Sequence, residues 1–302
     1  MPLLSDLGTV STVRLGDAQV AYREFGSGRP IVFVHGVLVN GNLWRDVVPL
    51  LADRYRCIVP DWPLGSHAIP MPALRRARGD NSKGANGPGD GALSPPGIAR
   101  LVAAFLEALE LEDVVLVASD TGGAIAQLVV TDYPDRIGAL VLTNCDAFEN
   151  FFPPALRALT WCSRIPGFVD ALVFALRWTA LQRLVCATVS HRRPTPELLH
   201  SYFDRLIADA AVRRDLREVL ASVDRRHTLE AARRFGTFTK PVGIAWGEDD
   251  RVFFPMRYAK RLRDAFPSSR LRTFAGAMTF VSEDRPVELA AFVAEIAGAR
   301  TS

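Results

Sequence analysis

The run VVLVASDTGG, residues 114–123, passes from an unbroken apolar segment of strand length to one carboxylate and then straight to glycines. A strand that turns so sharply into a helix crowds backbone against backbone. The positions two before and two after the apex must therefore be small. With Asp120 at the apex those positions are Ala118 and Gly122, and Gly123 follows. Ser119 at the apex would put Val117 and Thr121 there, a worse fit. Thr121 would put Ser119 and Gly123 there, which sterics allow but which shifts the end of the strand by a residue. Asp120 is the preferred apex. A carboxylate displayed on such a turn can attack a carbon that bears a leaving group and become an enzyme ester. Water must then cleave the ester, which calls for a general base, ordinarily a histidine oriented by an acid.

The chain has five histidines. His35, followed by Gly36 after an apolar run, reads as a turn former. His67, in Gly65-Ser66-His67, lies in a loop that should face the C-terminal edge of a sheet, where ligand sites of open α/β sheets collect. It is the histidine that could join a site, against a loop-structural role held by hydrogen bonds. His191, His200 and His227 fall in an arginine-rich stretch and read as solvated. No histidine follows His227.

The elements that must position these groups alternate. Residues 11–25 read as a β-hairpin around Gly16-Asp17. Unbroken apolar runs at 31–34 and 114–117 read as strands, as do the segments at 57–59, 139–142, 241–246 and 271–274. Helices are expected at 43–55, with Leu43, Val47, Leu50 and Leu51 on one stripe, and at 94–110, with Ser94 as N-cap and Pro95 at the first helical position. Further helices are expected at 122–131, 256–265 and 286–296. Residues 79–91 are rich in Gly, Asn and Asp and read as a surface loop. Strands that are apolar throughout belong in a parallel sheet covered on both faces. From about Asp146 to His227 the strand signals vanish. This predicts an α/β core of residues 1–146 and 228–302, interrupted by a helical insertion at 147–227.

Composition narrows the class. The 302 residues are 49% hydrophobic and 23% charged, with a net charge of +3. That is globular composition with no electrostatic footprint for nucleic acid. Only three of the 36 basic residues are lysine, a compositional bias without functional content. The four cysteines form no CxxC pair, so neither a disulfide framework nor a zinc site is expected, and a reducing cytoplasm fits. The first residues lack a basic segment followed by an apolar run, so no signal peptide is expected. The most apolar stretch, residues 165–189, is broken by Asp170, Arg177, Gln182 and Arg183 and is too polar to span a membrane. No GxGxxG, P-loop or HExxH motif occurs, so no cofactor or metal is expected. The expected partner is a hydrophobic small molecule, with no nucleic acid and no membrane, for a monomer or homodimer.

From about Val20 to the last helix the chain resembles the α/β-hydrolase family. An aspartate at the elbow is similar to the haloalkane dehalogenase and epoxide hydrolase branch. The resemblance implies an α/β-hydrolase fold with a helical cap (lid). It implies backbone N–H groups of Val37 and Thr121 as oxyanion hole, and the triad acid at Asp250 in WGEDDRV, residues 246–252, or at Asp146 in Asn144-Cys145-Asp146. Read without the resemblance, Asp250 is a solvated acidic turn and Asp146 a helix N-cap. Substrate contacts are expected from His35, Trp44, Phe148, Tyr202 and Thr279.

Two departures matter. The family's histidine belongs after the strand at 271–274, and the flanking AGAMTFVSEDRP, residues 275–286, puts Thr279 there. Threonine is no base near neutral pH. Dehalogenases of this kind hold their halide with a tryptophan after the nucleophile and an Asn or Trp elsewhere; here Thr121 follows Asp120, and Val37 follows His35-Gly36. Epoxide hydrolases use lid tyrosines, and the insertion has one, Tyr202. Three readings follow: a hydrolase with Asp120 as nucleophile and a non-standard or missing base; a lyase, isomerase or cyclase with Asp120 as general acid/base; or a ligand-binding protein that is not catalytic.

Overall fold

The computed structural model describes residues 3–4, 8–72 and 91–299. All of the expected loop at 79–91 except Gly91 lies outside the described residues. Eight strands form one sheet: β1 (Val10–Leu15), β2 (Ala18–Phe25), β3 (Arg29–Val34), β4 (Tyr55–Pro60), β5 (Val114–Asp120), β6 (Ile137–Cys145), β7 (Val242–Gly247) and β8 (Ser269–Phe274). Their order is β1-β2-β4-β3-β5-β6-β7-β8. The hairpin pairs antiparallel and joins β4 antiparallel, whereas β4, β3 and β5 to β8 run parallel. The hairpin turns at Gly16, whose φ of 62° is left-handed.

The period of two explains the two-sided core. Along β3, Ile31 and Phe33 pack on one face with Val115 and Val117, while Val32 and Val34 pack on the other with Leu116 and Ala118. Helices α1 (Val48–Leu51), α11 (Val281–Asp284) and α12 (Pro286–Gly298) contribute to the first face. Helices α2 (Pro95–Ala108), α3 (Thr121–Asp132) and α10 (Met256–Ala265) cover the second. The Ser94 hydroxyl accepts from the Gly97 N–H at 3.2 Å and caps α2, as the Ser-Pro signal implies.

One expected helix is different. Residues 43–55 form a 3-10 turn, Gly41–Trp44, and the short α1, and Tyr55 already opens β4. Asn40 caps the turn through the Asn42 N–H, and Pro49, which has no N–H to donate, starts a new helix instead of continuing the old one. Apolar spacing alone does not register that break.

Between β6 and β7 the chain makes α4 (Arg157–Cys162), α5 (Phe168–Ala175), α6 (Thr179–Ala187), α7 (Pro196–Ala208), α8 (Ala210–Ser222) and α9 (Arg225–Ala232). The last of these runs past residue 227 and packs on α3. Among the described residues no helix is long and apolar enough to cross a membrane.

Candidate active site

Asp120 ends β5 and is followed at once by α3. Its backbone, φ 56° and ψ −133°, is a conformation that side chains disfavour and that functional turns retain. The surroundings leave no room for a wider turn. A Cβ on Gly122 would lie 2.4 Å from the His35 carbonyl oxygen and 2.6 Å from that of Val34, and one on Gly123 would lie 2.3 Å from the Cβ of Cys145. A Cβ on Gly36 would lie 2.0 Å from Oδ2 of Asp120 itself. Three glycines thus let two loops close around one carboxylate.

The carboxylate accepts hydrogen bonds from the backbone N–H groups of Thr121 and Val37. Burial raises its pKa from 3.8 to about 7; those two N–H groups oppose the shift and the nearby Asp250 charge adds to it. Asp146, fully buried at the end of β6, accepts from the Thr121 hydroxyl at 3.3 Å. Burial first, then the Asp120 charge, pushes its carboxyl well above the usual range. The plain N-cap reading of Asp146 gains no support: its side chain bonds Thr121, not the next turn.

Asp250 is held by four donors. Its Oδ1 accepts from the N–H groups of Phe253 and Phe254 at 2.9 and 3.1 Å. Its Oδ2 accepts from the Thr279 hydroxyl at 2.5 Å and from Asn144 Nδ2 at 3.5 Å. Buried and fully bonded, it is no solvated turn. Thr279 occupies the seat next to the acid, its only proton committed to that acid.

Asp120, Thr121, Val37, Thr279 and Tyr202 line one apolar cavity of about 140 Å³. Its other walls include Phe152, Leu159, Val185 and Cys186 from the insertion and Phe254 and Phe280 from the core. No Arg, Lys or His is among the lining residues. Burial pushes the Cys186 thiol up to about 12, so it offers no competing thiolate. Among the described residues no group of three or more His, Cys, Asp or Glu could hold a metal.

Several residues expected at the site lie elsewhere. His67 is buried away from the cavity lining, with Nε2 3.1 Å from Asp215 Oδ2 on α8 and Nδ1 accepting from the Gly65 N–H. It ties the loop after β4 to the insertion, which is the loop-structural role. His35 sits under its turn, Nδ1 on the Gly36 carbonyl and Nε2 accepting from the Trp62 N–H. Burial lowers its pKa to about 4, so it is neutral. Trp44 packs on Phe33 inside the core, and Phe148 packs edge-on to Phe235 beneath the Arg261 guanidinium. Neither lines the cavity. Tyr202 does, yet its hydroxyl donates to Glu283 at 3.2 Å, and burial holds the phenol well above its usual pKa. Glu283 in turn takes both arms of Arg45, at 2.6 and 2.9 Å. Nothing in the sequence singles out Glu283 or Asp215, since their partners are remote in the chain.

The α/β hydrolase fold family profile matches residues 29–286, most of the chain, and the protein belongs to that family. Within it the similarity runs to the haloalkane dehalogenase branch. Haloalkane dehalogenase 2 of Mycobacterium tuberculosis is 28% identical over 282 residues, 92% of this chain and 91% of that relative. A 2-hydroxy-6-oxo-6-phenylhexa-2,4-dienoate hydrolase of Comamonas testosteroni is 23% identical over 282 residues, 90% of this chain and 88% of its own. Among solved structures, a putative ancestral haloalkane dehalogenase superposes with a TM-score of 0.74 at 24% identity, covering 96% of this chain and all of that one.

Proposed function

We propose that the protein is a dehalogenase-like α/β hydrolase in which Asp120 is a carboxylate nucleophile and hydrolysis of its ester is slow. The observation that carries this is the Asp120 carboxylate, clamped by two backbone N–H groups on the wall of a small apolar cavity. The substrate is a small apolar molecule with an electrophilic carbon, and the helices at 154–232 are its cap. A lone pair of the ionised carboxylate forms the O–C bond, and the leaving group departs with the electrons of the broken bond. Since Tyr202 donates to Glu283, a leaving group that is stable as an anion suits the site better than an epoxide oxygen that must be protonated. In the second step Thr279 has no basic nitrogen to activate water, so the ester persists.

The test is intact-protein mass after incubation with alkyl halides, epoxides and activated esters, for wild type and Asp120→Asn. A lasting adduct in wild type, absent from the variant, is expected. Its rate of formation should climb with pH through about 7, as the carboxylate ionises, and then level off. Product without adduct would remove the claim of a slow second step. Neither product nor adduct would remove the nucleophile.

A second reading rests on the pKa of about 7 itself, which suits a proton shuttle in a lyase, isomerase or cyclase. Its signature is solvent deuterium entering the substrate with no change in protein mass. Binding without either signature is what a non-catalytic pocket would give.

A further inference from the structure

We propose that the outer side of α4, α5 and α6 is a contact surface for an anionic lipid bilayer. Trp161 and Trp178 are 74% and 71% exposed, and Ile165, Phe174 and Leu184 are each more than half exposed. The other three tryptophans, Trp44, Trp62 and Trp246, are fully buried. Five bulky apolar side chains exposed within 24 residues are a concentration that monomeric surfaces rarely carry without a partner.

The helices have a well-filled inner side. They pack on the α7–α8 pair and bury Val169, Val173, Leu176 and Cys186. The outward residues are therefore surplus to folding. At 6, 8 and 9 residues these helices are too short to cross a bilayer, but they can lie on one with their apolar side chains at the headgroup boundary. Tryptophan at that depth is the residue that such interfaces favour.

Charge selects the occupant. Residues 154–188 carry four arginines, Arg157, Arg164, Arg177 and Arg183, and one acid, Asp170. Asp170 is already bonded to Arg213 and Arg217 of α8. The segment is cationic as well as apolar. A second copy of this chain, docked about a two-fold axis, would set these arginines against their own equivalents. Anionic headgroups would instead neutralise them, while the aliphatic stems stay in the apolar layer.

The experiment is co-sedimentation and tryptophan emission with phosphatidylcholine vesicles, with and without phosphatidylglycerol. Since only two of the five tryptophans are exposed, a blue shift reports those two. Binding to the anionic vesicles with a blue shift is expected, weakening with salt. Trp161→Ala with Trp178→Ala should cut partitioning about 10-fold or more. Arg164→Gln with Arg183→Gln should cut it by about 5-fold per arginine. All four residues are exposed, so unchanged circular dichroism will certify the fold. No binding, or binding indifferent to these substitutions, overturns the proposal. So does self-association that the tryptophan substitutions abolish, which would assign the surface to a second copy.

Discussion

At the scale of single residues the site is a steric fit before it is an electrostatic one. Gly36 has no side chain because Asp120 fills the space where one would go. In Gly36→Ala the new Cβ and Oδ2 cannot coexist at 2.0 Å, so the carboxylate must leave its two N–H donors. Adduct formation should fall by about 100-fold or more, with a stability loss of about 1–3 kcal/mol; mass spectrometry and urea melts separate the two effects. The requirement for small neighbours at Ala118 and Gly122 is local, and it was legible for that reason. The role of His67 was not, because its partner Asp215 lies 148 positions away.

At the scale of elements the segment after β8, the loop together with α11, carries two functions. Thr279 bonds the acid of the core, and four positions on Glu283 joins Arg45 to Tyr202 of α7. Thr279→Val takes a donor from the buried Asp250 and should cost about 1–3 kcal/mol. Thr279→His places an imidazole beside that acid and the cavity. The half-life of the ester should then shorten, read as faster decay of the adduct by mass and as multiple turnovers. An unchanged half-life would mean that the imidazole does not reach the ester. The central strands were readable from apolar runs because both faces of the sheet are covered there. The helix expected at 43–55 was not, since Pro49 interrupts a stripe that apolar spacing alone makes continuous. For the insertion, the loss of strand signals marked a helical block without telling which side of each helix would meet the core.

At the scale of the molecule, the site is a store of acid with no cation on its walls. A carboxyl whose folded pKa is raised keeps its proton longer in the folded state than in the unfolded chain. Folding therefore loses stability on its account as pH rises from about 4 to about 7. Asp120→Asn abolishes that loss, and its unfolding free energy from urea melts should gain on wild type across this window, by on the order of 4 kcal/mol at pH 8. Asp146, whose carboxyl burial also raises, contributes a loss of the same sign. The net charge of +3 gives no hint of this, because it sums a surface and an interior that titrate apart. The stretch at 165–189 shows the same limit: asking whether it spans a membrane hides the fact that much of its apolar content faces outward.

The insertion is fastened unevenly. From residue 189 to Asp215 it is stitched to the core: Val189 to the Phe280 N–H, Ser201 to Asn40, Tyr202 to Ser66 and Glu283, Arg205 to Ala68, and Asp215 to His67. Among the described residues 154–180, every hydrogen bond stays within the insertion. The outer part, which carries Trp161 and Trp178, meets the rest of the molecule instead through apolar packing by Val169, Val173 and Leu176. One stretch of the insertion is thus fixed in direction by hydrogen bonds, and the other is held by contacts that have none.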